Sequence, residues 1–180
     1  VEIIENCGEN SLSSSACTYE DFLGGVDFEE PFHLPNIDER GPIALNYTSG
    51  TTGNPKGVIL HHRGAYLNAI GNALSWQMPH YPVYLWSLPL FHCNGWCFPW
   101  TIALQGGTHV CVRGVDPAAF LDLVDIHEVT HLCGAPIVVR MLVEAAISSS
   151  KERTRTISVM TAGAAPPAAV LQQAEEAGFD

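Results

Sequence analysis

The chain has 180 residues, 47% of them apolar and 15% charged, which suits one domain with a real core and excludes a disordered chain. Its net charge of −11 excludes a general nucleic-acid binder, which needs a basic footprint, and no apolar run reaches the length that spans a bilayer. Six cysteines at irregular spacing exclude a disulfide scaffold, so a reducing, cytoplasmic location is expected.

Residues 1–40 hold ten of the nineteen carboxylates and a single cation, Arg40. Punctuated by Ser and Pro and weakly periodic, they read as an acidic, irregular lead-in with a helical turn at Thr18–Leu23. From residue 41 an alternation begins. Ile43–Tyr47 and Val58–His61 read as strands flanking a polar loop, and Arg63–Trp76 as a helix with Tyr66, Leu67, Ile70, Ala73 and Leu74 on one face. Val83–Leu88 predicts a strand, Trp96–Leu104 a short apolar helix and Thr108–Val112 a strand. Asp116-Pro117 is a helix start, an N-cap followed by proline at the first helical position, and this helix runs to about His127. Thr130–Cys133 reads as a strand, Pro136 opens a helix to about Ala146, and Lys151–Arg155 reads as a solvated connection. Ile157–Thr161 is a strand, and Pro166 or Pro167 starts a last helix that Gly178 ends.

Strands alternating with such helices predict an α/β fold over residues 41–180, with a mostly parallel sheet and right-handed crossovers. Ligands in such sheets gather at the carboxyl ends of the strands, where His92, Gly134-Ala135 and Gly163-Ala164 fall. Residues 41–115 contain no carboxylate, yet they carry Lys56, Arg63, Arg113 and five of the eight histidines. Apolar elements exclude charge in any case, but a long segment cleared of carboxylates in an acidic chain also suits a site that receives anions.

Within that segment lies Asn46-Tyr47-Thr48-Ser49-Gly50-Thr51-Thr52-Gly53-Asn54-Pro55-Lys56-Gly57. Glycines let backbone N–H groups converge on an anion, the Ser and Thr hydroxyls add donors, and the lysine adds a mobile charge. That chemistry suits a polyphosphate better than a bare turn. A Walker-type loop is excluded by spacing: counted from Gly50, Pro55 stands where the second glycine belongs and Gly57 where Ser or Thr belongs. A β-branched run follows instead of a helix. Cys93-x3-Cys97 beside His92 lacks the second pair that a zinc site needs, and Cys111 and Cys133 read as buried thiols.

The segment from Tyr47 to Gly57 resembles the signature of adenylate-forming enzymes, which include acyl- and aryl-CoA synthetases, luciferases and peptide-synthetase adenylation domains. Two further segments agree in order and spacing. Leu88-Pro89-Leu90-Phe91-His92-Cys93-Asn94-Gly95-Trp96 is similar to the Phe-His-x-Asn-x-Trp segment of medium- and long-chain acyl-CoA synthetases. Thr161-Ala162-Gly163-Ala164-Ala165-Pro166 is similar to their Gly-Gly-Ala-Pro turn, with Ala162 in place of one glycine and an extra alanine before the proline.

This resemblance, covering about residue 40 to the end, implies part of the large N-terminal domain of such an enzyme. It implies ATP, Mg²⁺ and CoA as co-substrates and cofactor, and a short- or medium-chain fatty acid or an aryl acid as the substrate. Thr48, Ser49, Gly50, Thr51, Thr52, Gly53 and Lys56 would address the phosphates, with Thr48 also on the metal. Gly163, Ala164, Ala165 and Pro166 would flank the adenine. His92, Asn94 and Trp96 would line the acid pocket, Trp96 as a gate, and His92 carries an imidazole able to contact a carboxylate or phosphate. Thr48, Lys56 and His92 are the expected catalytic residues. Trp96 and Phe98 also fit ordinary core aromatics, and His92 a packed histidine.

The family's Tyr-Gly-x-Thr-Glu segment, its ribose-binding aspartate and the small C-terminal lid domain with its lysine are not found in these residues. The 180-residue chain by itself is therefore expected not to make acyl-CoA. A homodimer is among the expected assemblies. A peptide-synthetase-type adenylation domain and a nucleotide-binding domain without turnover stay open as alternatives, although the His-x-Asn-x-Trp segment favours the CoA ligase.

Overall fold

Four short parallel strands and a separate hairpin carry the architecture. A computed structural model describes Gly24 and residues 36–48, 53–149 and 155–180. The turn expected at Thr18–Leu23, loop residues Ser49, Gly50, Thr51 and Thr52, and residues 151–154 of the solvated connection lie outside the described residues. Among the described residues, Glu39–Asp180 fall in one compact unit.

The hairpin pairs β1 (Pro42–Tyr47) with β2 (Gly57–His61) antiparallel, Tyr47 facing Gly57, as a two-stranded sheet of its own. Helix α1 (His62–Ser75) follows directly, capped by His61, whose Nδ1 accepts from Gly64 N at 2.9 Å. The parallel sheet contains β3 (Val83–Leu85), β4 (Thr108–Val110), β5 (His131–Gly134) and β6 (Ser158–Thr161), in the order β4-β3-β5-β6. Helix α2 (Phe98–Leu104) lies between β3 and β4, α3 (Pro117–Ile126) between β4 and β5, α4 (Pro136–Ser148) between β5 and β6, and α5 (Ala168–Glu176) after β6. The chain steps from β3 to β4 on one side, then returns to β5 on the other. Strand order therefore reverses between β3 and β5, the kind of point at whose carboxyl ends ligands gather in such sheets.

Side chains alternate across each strand and give the sheet two unlike faces. Leu85, Val110 and Leu132 meet Phe120, Val124, Val139 and Leu142 of α3 and α4 in an aliphatic core. On the other face Tyr84, Trp86 and Cys133 pack with Phe98 and Ile102 of α2 and with Met78. Tyr84 stacks on Phe98 at 5.2 Å between centroids and meets Trp86 edge-on at 4.9 Å. The start of α3 is as the sequence predicts: Asp116 Oδ1 accepts from Ala118 N at 3.0 Å and Pro117 opens the helix.

Three expectations about the secondary structure are corrected. β3 ends at Leu85 rather than Leu88, because Ser87 N turns back to Leu85 O and Pro89 has no N–H for a ladder. Helix α1 does not bury its large apolar face, since Tyr66, Leu67 and Leu74 are exposed and Ala65 and Ala69 are buried. Its apolar residues run all round the helix. Of the available stripes, Ala65, Ala69 and Asn72 at i, i+4 and i+7 is the small one, and it allows close approach to neighbouring helices.

The third correction concerns Trp96, which does not belong to α2. A helix begun there would need the N–H that Pro99 lacks, whereas α2 begun at Phe98 leaves Pro99 in its first turn, where no intrahelical partner is required. Cys111, expected buried, is half-buried, while Cys133 is fully buried.

Candidate active site

The hairpin closes its loop with two bonds at the neck. Thr48 N donates to Lys56 O at 3.0 Å, and Lys56 N donates to Thr48 Oγ1 at 3.3 Å. The two bonds join the described ends of the loop. Thr48 Oγ1 keeps its own proton and one lone pair for a ligand, and Lys56 and Gly53 are exposed to solvent.

After β3 the chain passes to the carboxyl end of the sheet. Ser87, buried, donates its hydroxyl to Cys133 O and so ties the end of β3 to β5 at the point where strand order reverses. Residues 93–97 then form a left-handed turn: φ is +45° at Cys93, +47° at Asn94, +58° at Gly95, +53° at Trp96 and +64° at Cys97. Each non-glycine residue in that conformation, asparagine least, costs on the order of 1 kcal/mol, so four among these five residues need outside support. Gly95 N donates to His92 O at 2.9 Å and Cys97 N to Asn94 O at 3.2 Å.

Side chains from two other elements add to this. Asn46 Nδ2 of β1 donates to Asn94 Oδ1 at 3.3 Å. Asn72 Nδ2 of α1 donates to Trp96 O at 3.1 Å and to Thr101 Oγ1 at 3.3 Å. Within this turn His92 is exposed, Asn94 half-buried, and Trp96 half-buried against the aromatic core.

The third predicted segment follows β6. Gly163 adopts φ +96°, a backbone region that glycine alone enters freely, and a Cβ there would meet nothing within 4 Å. Conformation, not space, asks for glycine. Ala164 and Ala165 are exposed and Pro166 is half-buried. Just before them the Thr161 hydroxyl is buried without a hydrogen-bond partner. The parallel register puts this turn at the same edge of the sheet as the His92 turn. The hairpin neck and the His92 turn are brought into contact through Asn46 and Asn94, while Gly163–Pro166 reaches that edge by topology alone.

Burial shapes the ionisation behind the site. It pushes the Cys133 thiol up to about 12 and raises the neighbouring Tyr84 hydroxyl well above its ordinary range. His109 and His131 are both held below the usual histidine value by burial. Trp86 Nε1 donates to His109 Nδ1 at 2.9 Å, and His131 Nδ1 lies 2.7 Å from Thr130 Oγ1. Among the described residues no group of three His, Cys, Asp or Glu side chains could hold a metal.

Sequence reading missed Asn46, Asn72 and Ser87. Asn72 left a trace, a carboxamide among the apolar residues of α1. Asn46 directly precedes the signature segment, and Ser87 sits inside an apolar run.

Residues 5–180 match the family model described as AMP-binding enzyme. The chain is 49% identical over 174 residues to the acetate/butyrate–CoA ligase AAE7, peroxisomal, of Arabidopsis thaliana, covering 94% of this chain and 30% of that protein. It is 45% identical over 163 residues to the 2-methylpropanoate–CoA ligase CCL4 of Humulus lupulus, covering 91% and 29%. Among solved structures, o-succinylbenzoate coenzyme A synthetase (MenE) of Bacillus subtilis in complex with ATP and magnesium ion superposes with a TM-score of 0.67 at 28% identity, covering 79% of this chain and 29% of that one. The chain spans about three-tenths of the length of these relatives. It belongs to the AMP-binding enzyme family.

Proposed function

We propose that the parent protein is an AMP-forming acyl-CoA synthetase and that this chain carries its phosphate loop, part of its acid pocket and part of its adenine wall. The observation that carries this reading is the juxtaposition of the Thr48–Lys56 neck with the His92–Trp96 turn through Asn46 and Asn94. The neck of the polyphosphate loop and an aromatic wall are thereby neighbours, as a reaction between a nucleotide and an acid requires.

A carboxylate is a poor electrophile until its oxygen is made a leaving group. In the first step its oxygen attacks the α-phosphorus of ATP, the bond to the β-phosphate oxygen breaks, and pyrophosphate leaves an acyl-adenylate. In the second, the CoA thiol adds to the acyl carbonyl, loses its proton, and AMP departs. The protein's task in the first step is positioning and neutralising charge. The loop supplies backbone and hydroxyl donors, and Lys56 a cation. Thr48 Oγ1 is a neutral oxygen donor of the kind magnesium accepts, and magnesium on the triphosphate would offset its negative charge. Trp96 and Asn94 would shape the acid's side of the site, Gly163–Pro166 the purine's, and His92 would address the reacting carboxylate.

The substrates named for the two relatives support a short-chain or branched acid. The unpaired thiols Cys93, Cys97, Cys111 and Cys133 support a reducing compartment. The cytoplasm is one; the peroxisome in the name of the first relative is another. No helix among the described residues is long and apolar enough to cross a membrane.

The test is pyrophosphate exchange by the intact protein with ATP and a panel of acids. Lys56→Ala removes one charge-assisted contact in the first half-reaction and is expected to slow exchange by roughly 1.5–3 kcal/mol, about one to two decades. Exchange at the wild-type rate would remove the loop from the mechanism.

A further inference from the structure

We propose that Asn46 and Asn94 form a latch between the phosphate-loop hairpin and the acid-side turn, through which bound nucleotide tightens the site for the acid. This rests on the reading of residues 92–96 as part of the acid pocket. It makes Asn46, which touches neither substrate in that reading, a positioning residue.

The hairpin's own anchorage shows why such a latch matters. At the end remote from the loop it is tied to the start of α1: His62 N donates to Gly41 O at 3.2 Å, Arg63 N to Glu39 O at 2.7 Å, and Arg63 pairs with Glu39 at 3.1 Å. At the loop end its apolar side chains give little hold, because Leu45, Tyr47, Val58 and Ile59 are all exposed. There, among the described residues, the side-chain hydrogen bond to another element is Asn46 to Asn94. Asn46 stands two positions before Thr48, on the strand that enters the loop, so a ligand held at Thr48 bears on Asn46 through two peptide units.

The receiving side is equally restricted. Asn94 lies in the left-handed turn at φ +47° and ψ +54°, a region asparagine tolerates, but its neighbours Cys93, Trp96 and Cys97 share that region and need outside contacts to hold it. Asn72 fixes the far end of the turn at Trp96 O, and the near end depends on Asn46. Holding both ends sets the direction of the Trp96 ring. By linkage, whatever nucleotide does for the acid through this path, the acid does equally for nucleotide.

The test uses the intact enzyme and three nearly isosteric variants, reading KM for the acid at low and at saturating ATP, whatever becomes of kcat. In Asn94→Asp the new carboxylate still accepts from Asn46. In Asn46→Asp the Asn94 amide turns over and donates. The double variant sets two carboxylates against each other and loses the bond. Saturating ATP is expected to lower the acid KM roughly fivefold or more in the wild type. Each single variant should keep that ratio within about twofold, while the double variant loses it far beyond the product of the singles.

A double variant that keeps the ratio, singles that lose it as fully as the double, or a wild type without the ratio overturns the latch. Melting temperatures within a few degrees of each other exclude global loss of fold as the cause. Trp96→Ala separates the two ideas. An unchanged profile of kcat/KM across acid chain lengths sinks the pocket reading itself; a changed profile with a coupled double variant sinks the latch alone.

Discussion

The two faces of the parallel sheet do different work with different chemistry. One is closed by α3, α4 and α5 and is aliphatic apart from Phe120 and Phe179, its members interchangeable in kind and nearly all sealed from water. The other carries Tyr84, Trp86, His109, His131, Cys133 and Met160, with α2 and α1 over it and the left-handed turn at its edge. Polar groups on this second face are used by name. Ser87 bonds Cys133 O, Thr101 bonds Cys97 O, and Asn72 bonds both Trp96 O and Thr101. The first face therefore supplies stability through area, and the second fixes the position of a small number of groups.

The largest effect is expected from opening the aliphatic face. Phe120 is 1% exposed, and Phe120→Ala removes a buried ring among aliphatic neighbours that cannot fully close the gap. The expected loss is about 3–5 kcal/mol of stability. In denaturant titration of the intact protein the midpoint should fall strongly. Because this face does not reach the site, the acid chain-length profile of the folded fraction should not change.

The same contrast explains what was legible in the sequence. The aliphatic face was: Asp116-Pro117, the alternation of strands and helices, and the buried runs at β5 and α4 obey local rules of period and capping, and each appears near its expected place. The second face was legible only where a motif named it. The signature from Tyr47 to Gly57 pointed to the hairpin loop, although half of that loop is outside the described residues. Trp96 was read as helical because an apolar run through Leu104 has helical spacing, while the left-handed turn depends on Gly95, Pro99 and two distant asparagines that no local window joins. Helix α1 was read with the wrong face inward for a similar reason. Its burial is decided by close packing of Ala65 and Ala69 and by acceptors for Asn72, which belong to other elements.

A second, smaller effect should come from the turn. Gly95 sits at φ +58°, and a Cβ there would lie 2.7 Å from Cζ3 of Trp86. Gly95→Ala thus adds a left-handed penalty to overpacking against an indole already held by His109, about 2–3 kcal/mol together. Unlike Phe120→Ala, it should alter acid selectivity along with the melting temperature, since relief of the clash must move either the turn or the indole. A loss of stability with an unaltered acid profile would place Gly95 with the packing residues rather than with the site.

The smallest effect separates the faces by pH. His109 and His131 both lie on the second face, and burial holds both below the ordinary histidine value of about 6.5. In the unfolded chain they take up protons as pH falls through about 6.5; in the folded protein they resist until a lower pH. The unfolded state therefore binds more protons in that window, and stability falls as pH falls. His131, 5% exposed and edge-on to Trp76 at 4.9 Å, is the better probe of the two. Between pH 7 and pH 5.5 stability should therefore fall, with His131 contributing part of the loss. Measured by denaturant unfolding at both pH values, His131→Gln should flatten this part of the dependence while Phe120→Ala leaves its slope as it was. A slope unchanged in His131→Gln would mean that the imidazole is protonated as readily in the folded protein as in the unfolded chain, and that the second face is wetter than its packing indicates.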